Sequence, residues 1–205
     1  DYIVGYPTYD PVGKTDAGRA EIISGQTGGV LKFIEGNAAK DNMGFAVAGN
    51  ADVDGDGHID VVVGAPKADP NGLKDAGTVT VIYGPNDSKP RTVLSGTRAK
   101  ALLGSSVALG DVNGLPDGDS SNPTADIVIG APGYDVQNPR EGSAFVFLGS
   151  ATGIASGTPA TAHVQLERDF AANARMGQSV AAGGDINGDG FGDILIGGEE
   201  TDRVL

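Results

Sequence analysis

Nine residues constrain this chain more than any others: Asp52-Val53-Asp54-Gly55-Asp56-Gly57-His58-Ile59-Asp60. Oxygen-bearing side chains fall at loop positions 1, 3, 5 and 9, and two glycines let the loop bend sharply. A hard cation such as Ca²⁺ takes six to eight oxygens at roughly 2.3–2.6 Å, and alternating carboxylates on a curled loop supply them. Without a cation the four acids would repel one another. An EF-hand loop shares the first half of this pattern but needs a bidentate Glu at position 12 and a helix on each side. Position 12 here is Val63, inside the β-branched run Val61-Val62-Val63 that Gly64-Ala65-Pro66 stops, which reads as a strand. Asp60 therefore closes the loop, the His58 carbonyl serves as a main-chain ligand, and the imidazole points to solvent.

The pattern recurs. Asp185-Ile186-Asn187-Gly188-Asp189-Gly190-Phe191-Gly192-Asp193 has the same spacing and runs into Ile194-Leu195-Ile196-Gly197. Asp111-Val112-Asn113-Gly114 opens a third copy that Asp126 closes before Ile127-Val128-Ile129-Gly130-Ala131-Pro132, with residues 115–125 inserted between. A fourth survives as its end, Asp1-Tyr2-Ile3-Val4-Gly5-Tyr6-Pro7. The glycines before the loops (Gly44, Gly104, Gly177) and after the closing acids (Gly5, Gly64, Gly130, Gly197) define a unit of about 60 residues plus insertions. The approximate units are 1–42, 43–102, 103–175 and 176–205, within a single domain over 1–205.

Period-2 alternation and turn residues give four strands per unit. They are Phe45–Gly49, Ile59–Gly64, Thr78–Tyr83 and Thr92–Leu94 in the second unit. The third has Ser106–Leu109, Asp126–Gly130, Ser143–Leu148 and His163–Leu166. The first has Tyr2–Val4, Ala20–Ile23 and Leu31–Ile34, and the last Ser179–Ala182 and Asp193–Ile196. Helical periodicity nowhere spans ten residues; Phe170–Met176 is the best candidate and is too short. Repeated four-stranded antiparallel units are the blades of an all-β propeller, in which neighbours cover each blade's faces. Val47, Val62 and Val81 should fill the space between blades, and Ala46, Ala48, Ala108 and Ala181 should let inner strands crowd near the axis.

Composition narrows the partners. The net charge of −13 speaks against nucleic acid and against electrostatic docking on anionic lipid, and much of the excess lies in the metal loops. No run of about 18 apolar residues exists to insert in a membrane. The chain has 34 glycines, recurring between apolar runs as short strands and tight turns require, and no cysteine. That excludes disulfides, zinc–thiolate sites and a cysteine nucleophile, and for an extracellular protein it points to a bacterial or archaeal source.

Met43-Gly44-Phe45-Ala46-Val47-Ala48, then the loop from Asp52 to Asp60, then Gly64-Ala65-Pro66, resembles the FG-GAP repeat of the integrin α-subunit β-propeller. Leu103-Gly104 and Met176-Gly177 stand where the family has Phe-Gly, Gly130-Ala131-Pro132 matches fully, Gly5-Tyr6-Pro7 in part, and Gly197-Gly198-Glu199 departs. The resemblance implies seven blades when complete, Ca²⁺ loops between strands one and two on a lower face, and ligand-binding loops on the upper face. It implies one ion on Asp52, Asp54, Asp56, Asp60 and the His58 carbonyl, and another on Asp185, Asn187, Asp189, Asp193 and the Phe191 carbonyl. A variant third site takes Asp111, Asn113 and Asp126, with Asp117 or Asp119 at the fifth position; Asp117 keeps the Asp-Gly pair of the other loops. Asp1 would close a loop of the same kind.

Catalytic constellations are thin. His58 sits in a metal loop and His163 on an expected strand. Gly13-Lys14-Thr15 resembles the end of a phosphate-binding loop, but Thr8 stands where the first glycine belongs and a strand follows instead of a helix. No Gly-x-Ser-x-Gly elbow exists. Two readings follow: a non-catalytic binding module of a secreted or cell-surface protein that engages protein or glycan through upper-face loops such as Lys67–Gly77 and Gly133–Gly142, or the propeller part of an extracellular calcium-dependent enzyme such as a polysaccharide lyase or phospholipase. About three blades' worth of strands is too few to close a ring. The expectation is therefore a fragment of a larger propeller, or self-association to complete one.

Overall fold

A computed structural model describes residues 1–84, 89–114, 124–167 and 172–199. Its thirteen strands form four antiparallel sheets in sequence order. The first holds β1 (Tyr2–Tyr6), β2 (Arg19–Ile23) and β3 (Val30–Glu35). The second holds β4 (Ala46–Ala51), β5 (Asp60–Ala65), β6 (Thr78–Ile82) and β7 (Thr92–Ser95). The third holds β8 (Ser106–Gly110), β9 (Asp126–Ala131), β10 (Ser143–Phe147) and β11 (Val164–Leu166), and the fourth β12 (Ser179–Gly184) and β13 (Asp193–Gly197). Every expected strand is present within one or two residues of its expected ends. Only two short 3₁₀ turns, Pro70–Gly72 and Pro159–Thr161, interrupt the β structure of the described residues. The candidate helix at Phe170–Met176 begins in residues outside the described ones, as do Asp117 and Asp119.

Each sheet is a blade, and the blades pack face to face through the side chains that alternate along their strands. On β5 the side chains of Val61 and Val63 join Ile3, Ala20, Ile22 and Ile34 of the first blade. Val62, one residue out of step, joins Val79, Val81, Leu94 and the third blade's Ile127, Ile129 and Phe145. Period-2 alternation thus sends neighbours into opposite interfaces, which is why all six residues of β5 and all six of β9 are buried. A strand covered on both faces reads as an unbroken apolar run. Val47 packs at the first interface and Val62 and Val81 at the second. The inner strands β4, β8 and β12 lie side by side, and the small residues Ala46, Ala48 and Ala108 are half-buried there.

Residues 150–157, between β10 and β11, cross back over the second blade. Gly157 bridges Leu94 in parallel, hydrogen-bonding to the residues on either side of it: Ser95 N–H donates to the Gly157 carbonyl (2.9 Å) and Gly157 N–H to the Val93 carbonyl (3.2 Å). The strap is anchored by Tyr83, whose hydroxyl accepts from the buried Ile154 N–H at 2.9 Å and lies 3.0 Å from Thr92 Oγ1. Tyr83→Phe keeps the ring but leaves that N–H unsatisfied, at a cost of roughly 1–3 kcal/mol. Urea denaturation of the variant should show the midpoint fall accordingly; an unchanged midpoint would mean the strap contributes nothing.

Candidate metal centre

The 52–60 loop joins β4 to β5, and its shape is set by carboxylates accepting backbone N–H groups. Asp52 Oδ1 accepts from Gly55 (2.7 Å) and Oδ2 from Gly57 (2.7 Å). Asp54 Oδ1 accepts from Asp56 (3.2 Å), and Asp56 Oδ1 from His58 (2.9 Å). Asp60, fully buried as the first residue of β5, ties the loop to the blade: Oδ2 accepts from Val53 (2.8 Å) and Oδ1 from Gly84 at the end of β6 (2.9 Å). The result is a group of three acids, Asp52, Asp54 and Asp60, whose donor oxygens all lie within 4.8 Å of one another. Asp56 lies outside that group and is exposed with His58.

The electrostatics show how unfavourable this arrangement is alone. Burial pushes the Asp60 carboxyl up to about 6; the Gly84 and Val53 N–H groups pull it back, and the neighbouring Asp54 and Asp52 charges push it further up. Lys89 brings a cation to the loop, its ammonium 2.8 Å from Asp54 Oδ2. That contact holds the Lys89 ammonium above its ordinary range. Three convergent carboxylates, one of them destabilised as an anion, suit a hard divalent cation: oxygen donors in the right number, and a charge that would favour the ionised forms. The donor set therefore fits Ca²⁺.

The other loops repeat the backbone plan. In 185–193, Asp185 accepts from Gly188 (2.6 Å) and Gly190 (2.9 Å), Asn187 Oδ1 from Asp189 (2.9 Å), Asp189 from Phe191 (3.0 Å), and Asp193 from Ile186 (2.6 Å). These match the bonds of 52–60 one for one. The N–H groups of Gly190, Gly188 and Asp189 hold the exposed Asp185 carboxyl below its ordinary range. In the third copy Asp111 accepts from Gly114 (2.8 Å), and Asp126, fully buried, accepts from Val112 (3.0 Å) and Gly149 (3.0 Å). Asn113 lies in the same turn, and Asp117 falls outside the described residues. Asp1 accepts from Gly25 at 3.0 Å, as Asp60 does from Gly84 and Asp126 from Gly149. The closing acid thus reaches across to the end of the third strand in three successive blades, a bond that the spacing of the acids alone does not reveal.

At the opposite end of β5, and so about 20 Å away for a six-residue strand, lie the loops expected to face a ligand. Their backbones are pinned by a repeated clasp that sequence reasoning missed. Lys100 N–H donates to the Lys74 carbonyl (2.8 Å), Leu102 to Asp75 (3.1 Å) and Leu103 to Ala76 (3.1 Å). The blade before repeats this with Lys40, Asn42 and Met43 on Thr15, Asp16 and Ala17, and the blade after with Asn173, Arg175 and Met176 on Pro139, Arg140 and Glu141. A carboxylate six or five residues upstream closes each hairpin: Asp10 accepts from Asp16, Asp69 from Asp75 and Asp135 from Arg140. Many of their side chains are exposed, among them Lys67, Asn71, Lys74, Gln137 and Arg140. The recurring Asp-Pro and Asp-Ala-Gly stretches were the available signal.

Other candidate chemistry stays dispersed. His163 is exposed, and Lys14 donates to the Gly36 carbonyl at 3.3 Å in a turn with no helix behind it. Among the described residues no helix is long and apolar enough to cross a membrane.

Comparison with known proteins bears on the repeated plan. The FG-GAP repeat family matches residues 44–82 and 176–199. Integrin alpha-IIb of Homo sapiens is 31% identical over 214 residues, covering 100% of this chain and 19% of the integrin. Integrin alpha-PS2 of Drosophila melanogaster is 31% identical over 183 residues, covering 84% of this chain and 12% of the integrin. Phosphatidylinositol-glycan-specific phospholipase D of Homo sapiens is 32% identical over 169 residues, covering 76% of this chain and 18% of that protein. The chain thus spans less than a fifth of the length of these curated relatives. The recurrence of one blade plan, glycine for glycine, and an alignment with integrin α chains along its whole length make the chain an FG-GAP repeat protein that resembles the integrin α-subunit β-propeller.

Proposed function

We propose that this chain is a non-catalytic, calcium-stabilised β-propeller module of a secreted or cell-surface protein, and that it binds a protein or glycan through the loops opposite its calcium loops. The observation that carries the reading is the convergence of Asp52, Asp54 and Asp60 at the mouth of a fully buried strand. Asp52, Asp54, Asp56, Asp60 and the His58 carbonyl hold one ion. Asp185, Asn187, Asp189, Asp193 and the Phe191 carbonyl hold a second. Asp111, Asn113, Asp117 and Asp126 hold a third in a variant loop. The ion supplies charge neutralisation and fixes the turn between two strands; recurrence in every blade suits that structural part better than a single active site. The clasped upper loops, rigid in backbone with exposed tips, support the placement of the ligand face.

Calorimetric titration of chelator-treated protein should show saturable Ca²⁺ binding, with two well-formed sites and one variant site. Absence of heat at millimolar Ca²⁺ would sink the reading. The second reading, the propeller portion of an extracellular calcium-dependent enzyme, is favoured by the likeness to the phospholipase D. Turnover of a glycan or phosphoester by this chain, abolished by a change at His163 or Lys14, would replace the first reading with the second.

A further inference from the structure

The 52–60 loop differs from its copies in one respect. It carries a carboxylate, Asp54, where the other two carry the neutral amides Asn113 and Asn187. Unlike 185–193 among the described residues, it also has a lysine on it. Lys89 Nζ lies 2.8 Å from Asp54 Oδ2, and the Asp54 side chain is wholly buried. The same ammonium donates to the Ala151 carbonyl (3.2 Å) on the strap that the third blade lays over the second. In the 185–193 loop Asn187 Nδ2 itself donates to Asp189 (2.9 Å), and among the described residues no cation pairs with that loop. The extra negative charge and the extra positive charge therefore occur together.

We propose that Lys89 is a tethered counter-ion of the 52–60 loop, which Ca²⁺ must displace from Asp54 in order to bind. This rests on the calcium reading above. Ammonium and ion compete for one carboxylate. With the ion absent, Lys89 neutralises Asp54 and keeps the three acids from repelling one another. With the ion present, a positive charge held within a few ångströms of a divalent cation lowers its affinity, and the ammonium leaves. The loop is in this way set to a weaker affinity than its acid count would give, and the strap stays tied to the second blade when calcium is scarce.

The test compares Ca²⁺ isotherms of the wild type and Lys89→Met, each with and without Asp60→Ala, which removes the 52–60 loop from the isotherm. The sites lost with Asp60→Ala should bind about tenfold tighter in Lys89→Met, since the Lys89–Asp54 attraction that the ion must break is worth on the order of that factor even in a water-like dielectric. The remaining sites should be unchanged. Equal or weaker binding in Lys89→Met overturns the proposal. An isotherm that Asp60→Ala leaves untouched overturns the calcium reading of this loop, and the competition with it. A second readout needs no variant: acetylation of Lys89, followed by mass spectrometry, should speed up as Ca²⁺ fills the loop. A rate independent of Ca²⁺ would show that the ammonium does not leave Asp54.

Discussion

Gly130→Ala is expected to destabilise the protein by more than about 3 kcal/mol, because the added methyl group has nowhere to go. Gly130 lies on β9, and a Cβ there would fall inside the van der Waals sphere of the Gly177 carbonyl oxygen and of Ser106 Oγ. Gly177 is the residue that opens the next blade; the Gln178 N–H, in the same peptide unit as the Gly177 carbonyl, donates to the Gly197 carbonyl at 3.1 Å, so that carbonyl cannot swing aside without losing the bond. The same approach recurs at every junction, with Gly5 against the Gly44 carbonyl and Gly64 against that of Gly104. The two glycines of the FG-GAP pattern are thus two sides of one contact, where backbones of adjacent blades meet with no side chain between them. Overpacking a flexible site costs roughly 1–3 kcal/mol, and backbone on the facing side leaves less room to relax. A glycine-to-alanine change otherwise gains about 0.4–1 kcal/mol by restricting the unfolded chain. Gly184→Ala, where a Cβ meets nothing within 4 Å, is the control and should stay within about 0.5 kcal/mol of the wild type. Urea denaturation of the pair decides it: a Gly130→Ala midpoint equal to that of Gly184→Ala would refute the close-approach account.

The strands and the loops were legible because their signals are local. A closing acid, a β-branched run and a Gly-Ala-Pro stop lie within seven residues at Asp60–Pro66, and the same grammar marks Asp126–Pro132. Alternation along Val61, Val62 and Val63 then dictates two opposed interfaces. The clasp between upper loops was illegible for the opposite reason. It is made by backbone groups of residues with no common identity: Lys40, Lys100 and Asn173 at one position, Asn42, Leu102 and Arg175 at another. All six adopt a left-handed φ, between 50° and 71°. That conformation belongs to the loop as a whole and is written in no side chain. The strap at 150–157 was missed because scattered single contacts hold it, among them the bridge at Gly157 and the Tyr83 hydroxyl, without periodicity to announce it. Lys89 was passed over since a lone lysine in a loop carries no spacing to read. The upper-face loops, expected as open contact surface, are pinned in their backbone by the clasp and exposed at many of their side chains.

Asp60 should show the largest coupling between calcium, pH and stability. In chelator near pH 7, Asp60→Ala strips the buried Val53 N–H and the half-buried Gly84 N–H of their acceptor. Two unsatisfied donors cost roughly 1–3 kcal/mol each. The loss is offset in part because the ionised carboxyl is itself unfavourable there. A carboxyl raised from 3.8 to about 6 binds its proton more tightly in the folded state than in the unfolded one. Its contribution to stability is therefore present below pH 3.8 and is lost as pH rises through about 6. The full loss is about 3 kcal/mol, since each tenfold change in proton affinity is worth 1.36 kcal/mol. Chelated wild type should thus gain stability, relative to Asp60→Asn, as pH falls from 7 to 4.5. Calcium flattens the pattern. An ion held by the carboxylate stabilises the ionised form, adding about 2.7 kcal/mol at a hundred times its Kd, and a proton at Asp60 competes with it. At that Ca²⁺ level the roughly hundredfold competition by the ion offsets the tighter proton binding of the folded state, so the stability of the wild type relative to Asp60→Asn should stay nearly flat between pH 7 and 4.5. Melting the two proteins at pH 4.5 and 7, in chelator and in millimolar Ca²⁺, reads all four states. Parallel shifts in both media would show that Asp60 does not bind the ion.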